Sequence, residues 1–118
     1  MSKNKEVIAD IKEIIEPLKQ NLSEYPDQST EMLDILDVLT QVNKKIDSEK
    51  NPEALVMRLL NYIRSVSMKG KIHYSKDDES MIMKLGEFGQ KAGLNGQYMA
   101  DFSDKSQFYS LTESVPQH

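Results

Sequence analysis

The residues of this chain with the most obvious chemical capacity are two histidines, His73 and His118, and an acidic run, Asp77-Asp78-Glu79. A nucleophile–base pair needs a positioned base and a second group that orients it. His73 falls in a loop and His118 at the last position, and nothing in the sequence marks either for that work. The acidic run could attract a cation, but it lacks the alternating ligands and central glycine of a calcium loop. It reads instead as the first turn of a helix, where carboxylates meet the positive end of the helix dipole. Gly86, Gly89, Gly93 and Gly96 lie within or after a helix rather than behind a strand, so they form no phosphate-binding fingerprint. There is no cysteine, which removes disulfides and thiolate chemistry. The expectation is a protein without catalytic, metal or cofactor residues, which acts by binding.

Two groups of residues could supply a binding surface. Lys69, Lys71, His73 and Lys76 surround a single turn. Farther on, Tyr98, Phe102, Phe108 and Tyr109, with Leu111, are scattered among polar residues. Disordered tails are poor in aromatics, yet these four are half of the chain's five tyrosines and three phenylalanines. Part of this tail is therefore expected to lie against the rest of the protein, with Ser114 to His118 loose. Aromatic residues also dominate interface hot spots, so the same side chains are the expected partner anchors.

The elements that would position these groups are four amphipathic helices, over about 4–23, 29–48, 52–69 and 76–92. In the first, Val7, Ile8, Ile11, Ile14, Ile15, Leu18 and Leu22 share one arc, and Pro17 falls towards solvent. Tyr25-Pro26-Asp27 is a turn, with Asp27 or Ser29 available as the next N-cap. The second helix presents Met32, Ile35, Leu36, Leu39, Val42 and Ile46, with Asn43 in mid-face as a satisfied buried amide. Asn51-Pro52-Glu53 is a strong helix start. The third helix buries Leu55, Val56, Leu59, Leu60, Ile63 and Val66 and is expected to stop at Gly70 in the left-handed conformation. Ser75 with Asp78 three residues on resembles a capping box for the fourth helix. Its inner stripe is Met81, Ile82, Leu85, Phe88 and Ala92. Gly86 and Gly89 beside that stripe each cost about 1 kcal/mol relative to alanine, which suggests a closely packed visitor. Either a neighbouring helix or the chain's own tail fits, and docking of the tail is the role assigned to them.

With 118 residues the chain is sized for one domain, expected as a bundle over 1–93 with a dependent tail over 94–118. The net charge of −4 argues against nucleic acid as a partner. No apolar run approaches the roughly 20 residues needed to span a bilayer, and no secretory signal is evident at the start. A cytosolic protein is expected, at most peripheral at the inner face of the membrane.

The pattern resembles the immunity proteins of pediocin-like (class IIa) bacteriocins, the enterocin A immunity family. The likeness rests on Met32-Leu33-Asp34-Ile35-Leu36, on Asn51-Pro52-Glu53 followed by Leu59-Leu60-Asn61-Tyr62-Ile63, and on the loop Lys71-Ile72-His73-Tyr74-Ser75-Lys76-Asp77-Asp78-Glu79. It covers most of residues 5–110. It implies an antiparallel four-helix bundle that protects a producing cell from its own pore-forming peptide. Such proteins act from inside the cell, on the membrane subunits of a mannose phosphotransferase permease with bound bacteriocin. The resemblance also assigns toxin choice to the C-terminal half, here roughly Ser75 to Leu111. The tail is longer and more polar than in many members and lacks tryptophan. A competing reading is a small helical adaptor, chaperone or regulator that binds a protein partner.

Overall fold

The computed structural model describes residues 2–90, 105–110 and 112–117, with side chains from residue 5 onward. Four helices carry the fold: α1 (Ser2–Ser23), α2 (Thr30–Lys45), α3 (Pro52–Gly70) and α4 (Lys76–Gln90). A 3-10 turn, Ile46–Ser48, extends α2, and another, Lys105–Phe108, lies in the tail. There is no strand among the described residues. Neighbouring helices pack in the ring α1–α2–α3–α4 and back to α1, with little contact across the diagonal. Short connections between such neighbours make the arrangement an antiparallel four-helix bundle.

Each helix forms where local chemistry favours it. In α1, Ile11, Ile15, Leu18 and Leu22 repeat at helical spacing and are fully buried. The helix runs through Pro17, which is exposed. Solvent on that side can satisfy the carbonyl left without an amide partner. Ser29 caps α2 by accepting from Met32 N at 3.2 Å, and Asn51 caps α3 by accepting from Ala54 N at 3.2 Å. Met32, Ile35, Val38, Leu39, Val42 and Ile46 turn inward from the second segment. Leu55, Val56, Leu59, Ile63 and Val66 do so from α3, while Leu60 is only partly buried. Tyr62, absent from the stripe expected from sequence, is also buried.

The end of α3 differs from the expected one. Gly70 remains helical, and the left-handed residue is Lys71, at φ 52° and ψ 44°. Its amide donates to Met68 O at 3.4 Å and the Ile72 amide to Ser67 O at 3.0 Å. Glycine is needed at position 70 for another reason: a Cβ there would stand 2.6 Å from Glu31 Cβ at the start of α2. Close approach fixes the glycine, so the left-handed step falls one residue later on a lysine, where it costs roughly 1–2 kcal/mol.

Among the described residues, the two glycines of α4 serve the packing of α4 on α3, the neighbouring-helix alternative of the two visitors expected. A Cβ on Gly89 would lie 3.1 Å from Met57 Cα and 3.3 Å from Met57 N, and one on Gly86 would lie 3.0 Å from Leu60 Cδ2. The described part of the tail is held on α2 instead. Asn43 also departs from expectation. It is half-buried, and its Oδ1 has no hydrogen-bond partner among the described residues. It borders a shallow recess with Glu16, Lys19, Gln20 and Ser23.

Candidate recognition surface

The described tail is fastened along one polar stripe of α2. Asp34, Asp37, Gln41 and Lys45 follow one another at spacings of three and four, which places them on one helix face. Lys105 Nζ pairs with Asp34 Oδ1 at 2.8 Å and Asp37 Oδ2 at 3.0 Å, and donates to Pro116 O at 2.6 Å. Gln41 Nε2 donates to both carboxylate oxygens of Glu113, at 3.0 and 2.9 Å. Lys45 Nζ reaches Phe108 O at 3.2 Å. Between these ties Phe108 enters the core, only 1% exposed, its ring edge-on to Tyr62 with centroids 5.4 Å apart.

The electrostatics favour this clasp. Burial pushes the Lys105 ammonium down, but hydrogen bonds to Asp34 and Asp37 outweigh it and hold the group above its ordinary value. Glu113 accepts from the Ser110 amide at 2.7 Å. That bond, with those from Gln41, brings its carboxyl down to about 2.

A second construction sets the loop between α3 and α4. Ser75 caps α4, accepting from Asp78 N at 3.2 Å. In a capping box the acidic residue would reach back to the Ser75 amide. Here that amide donates to Tyr25 OH at 2.9 Å, and the Tyr25 hydroxyl donates to Asp78 Oδ2 at 2.5 Å. Asn21 Nδ2 supplies a further bond to Asp78 Oδ1 at 2.9 Å. Asp78 is 2% exposed, so its carboxylate is a buried tie between α1 and α4 rather than a solvated first-turn charge. Burial pushes its pKa up, but the bonds from Tyr25, Asn21 and Ser75 prevail and hold it below the usual range. Tyr74 closes the loop through a hydrogen bond between its hydroxyl and Ser67 Oγ.

This loop borders an open groove of about 610 Å³. Arg64 and Glu79, paired at 2.6 Å, join α3 to α4 along it. Ile72 and Tyr74 supply apolar lining, and Met68 stands 80% exposed at its edge. Of the basic loop, Lys71 and His73 line the groove, while Lys69 and Lys76 are exposed at the adjoining helix ends. Of the expected partner anchors, Phe108 is internal and Tyr109 is half-buried. Phe108, expected both among the tail residues lying against the bundle and among the partner anchors, is a core residue packed edge-on to Tyr62, which removes it from the accessible surface. Tyr98, Phe102 and Leu111 lie outside the described residues, as do Gly93 and Gly96. Sequence reading missed the clasp residues Asp34, Asp37 and Gln41. Their signal was a polar stripe at helical spacing on the face beside the apolar one. Among the described residues no three histidine or acidic side chains are grouped to hold a metal ion.

Comparison with known proteins assigns the scaffold. The chain is 54% identical over 80 residues to a probable leucocin-A immunity protein from Leuconostoc gelidum, covering 68% of this chain and 71% of that one. It is 51% identical over 78 residues to a probable mesentericin-Y105 immunity protein from Leuconostoc mesenteroides, covering 66% and 69%. No solved structure matches. The profile of the bacteriocin immunity protein family matches residues 3–90, from the first helix to the end of the fourth. A helical bundle held by capped amphipathic segments, matched along all four helices and identical at about half of the aligned positions to two probable immunity proteins, is a member of the bacteriocin immunity protein family.

Proposed function

We propose that this protein protects the cell that makes it from a class IIa pore-forming bacteriocin. In this reading it acts from the cytosol, binds the membrane subunits of a mannose phosphotransferase permease once the toxin has docked, and blocks the pore. The observation that carries the reading is the family match over residues 3–90, with relatives named for immunity to leucocin A and mesentericin Y105. A blocker performs no reaction and needs only a higher affinity for the toxin-occupied receptor than for the empty one. Moving such an equilibrium from 1:99 to 99:1 takes about 5.5 kcal/mol of differential binding, which a few hot-spot side chains can supply. No helix among the described residues is long and apolar enough to cross a membrane, so the protein would meet its target from one side.

The test is expression in a sensitive lactic-acid strain challenged with a panel of class IIa peptides that includes leucocin A and mesentericin Y105. Resistance to one or a few of them is expected. Full sensitivity to every peptide would overturn the reading. Exchange of residues 75–118 with those of a relative is expected to carry the resistance spectrum with it.

A further inference from the structure

We infer that the groove between the end of α3 and the start of α4 is a docking site for an acidic peptide segment that also bears an apolar side chain. This deepens the proposed function, on which it rests only for where such a segment would be found, namely the cytosolic face of the membrane target. The argument starts from charge. The chain as a whole carries −4, yet the charged residues that line this groove, Arg64, Lys71 and Glu79, leave one cation in excess, with His73 beside them. Arg64 and Glu79 neutralise one another at 2.6 Å. Lys71 and His73 remain on the rim without an ion pair among the described residues, and Lys76 stands exposed beside them, followed by the exposed Asp77. An acidic partner would be steered here and repelled by much of the remaining surface.

Shape and apolar content narrow the occupant further. The groove is concave, with Ile72 and Tyr74 partly buried in its lining. Met68 and Met83 are the two exposed large hydrophobic residues among those described, and Met68 edges this groove at 80% exposed. A flexible, polarizable methionine adapts to varied apolar partners. A concave site with an apolar lining and a cationic rim accepts a side chain and its flanking carboxylates. A flat lipid surface would touch the rim alone. The loop is also held in place, through Tyr74 on Ser67 and through the Tyr25 bonds to Ser75 and Asp78, so little ordering opposes binding.

The fold permits a clean test. Lys71 is left-handed, a conformation glycine adopts without strain. Lys76 is the first residue of α4, where a negative side chain is favoured by the dipole. The double variant Lys71→Gly/Lys76→Glu therefore removes the rim charge without threatening the bundle, and its thermal midpoint should equal or exceed that of the parent. The probe is a short fluorescein-labelled peptide of glutamate, aspartate and leucine, followed by anisotropy. Controls are the same peptide with lysine for each acidic residue and vesicles of phosphatidylglycerol. Binding of the acidic peptide alone is expected, weakening as salt rises. The double variant should bind roughly tenfold more weakly, a change of about 1.4 kcal/mol, and Met68→Ser should also weaken binding. Equal binding of the lysine peptide, an unaffected double variant, no binding, or binding to vesicles but not to the peptide would each overturn the inference. Protection in cells without peptide binding sinks this inference alone, whereas peptide binding without protection sinks the proposed function.

Discussion

The Tyr25 hydroxyl and the Asp78 carboxylate meet at 2.5 Å, tying the turn after α1 to the first turn of α4. The same hydroxyl accepts from the Ser75 amide at 2.9 Å. One phenol thus completes the cap of a helix whose capping residue, Ser75, lies 50 residues later in the chain. Because the groove loop ends at this cap, the bundle's internal bonding sets the shape of the groove.

Removal of that hydroxyl in Tyr25→Phe leaves a buried carboxylate one donor short and a cap amide without its partner. Loss of about 1–3 kcal/mol of stability is expected, read as a lower urea midpoint with unchanged slope. Asp78→Ala should fall in the same range or above it, since the bonds from Tyr25 and Asn21 to the carboxylate are both lost. A neutral result for both would show that solvent replaces these bonds.

Acid should act on the same carboxylate. The folded-state pKa of Asp78 is held below its ordinary 3.8. Its contribution to stability is therefore complete above that value and is lost as pH falls through the folded value. In urea titrations between neutral pH and strong acid, Asp78→Asn should flatten the steepest part of the curve below pH 3.8.

Glu113 gives a second acid response, confined to the tail. Its carboxyl is brought from 4.5 to about 2 by the Ser110 amide and Gln41. The clasp is fully supported above 4.5 and loosens as pH falls towards about 2. The side-chain amide resonances of Gln41 should report a midpoint near the lower value, and Glu113→Gln should abolish that titration. A midpoint near 4.5 would mean that the clasp is open in solution.

Phe108 makes the tail part of the core. Phe108→Ala should destabilise the protein by about 3–5 kcal/mol, through lost burial and the cavity left beside Tyr62. Lys105→Met should matter less, because the half-buried Asp34 and Asp37 can turn to water. Equilibrium unfolding followed by circular dichroism measures both. A loss below 1 kcal/mol for Phe108→Ala would argue against its insertion.

The glycines of α4 should respond oppositely to alanine. At Gly89 the new Cβ would press on the Met57 backbone at 3.1 Å, which cannot yield cheaply. A net loss of about 1–3 kcal/mol is expected there. At Gly86 it would meet the mobile end of Leu60. The gain in helix propensity of about 1 kcal/mol can then offset the contact. Thermal melts of the two variants should differ in sign or clearly in size.

By itself the sequence determined the four helices, most of their caps and the family. Ser29, Asn51 and Ser75 each act on the amide three residues on, and stripes such as Ile11, Ile15, Leu18 and Leu22 repeat at the helical period. These are local relations, so spacing alone reveals them. What only the tertiary structure decided lies between residues far apart in the chain. Asp78 chose Tyr25, not the adjacent amide. Gly70 was fixed by Glu31, which moved the left-handed residue to Lys71. Gly86 and Gly89 admitted α3, while Phe108 sought Tyr62 and the described part of the tail settled on α2. The physical reason is common to all of them. Helical periodicity states which face turns inward, but the distance and rotation at which two helices meet emerge from the joint packing of many side chains. A shift of one ångström in that packing changes which polar groups can pair.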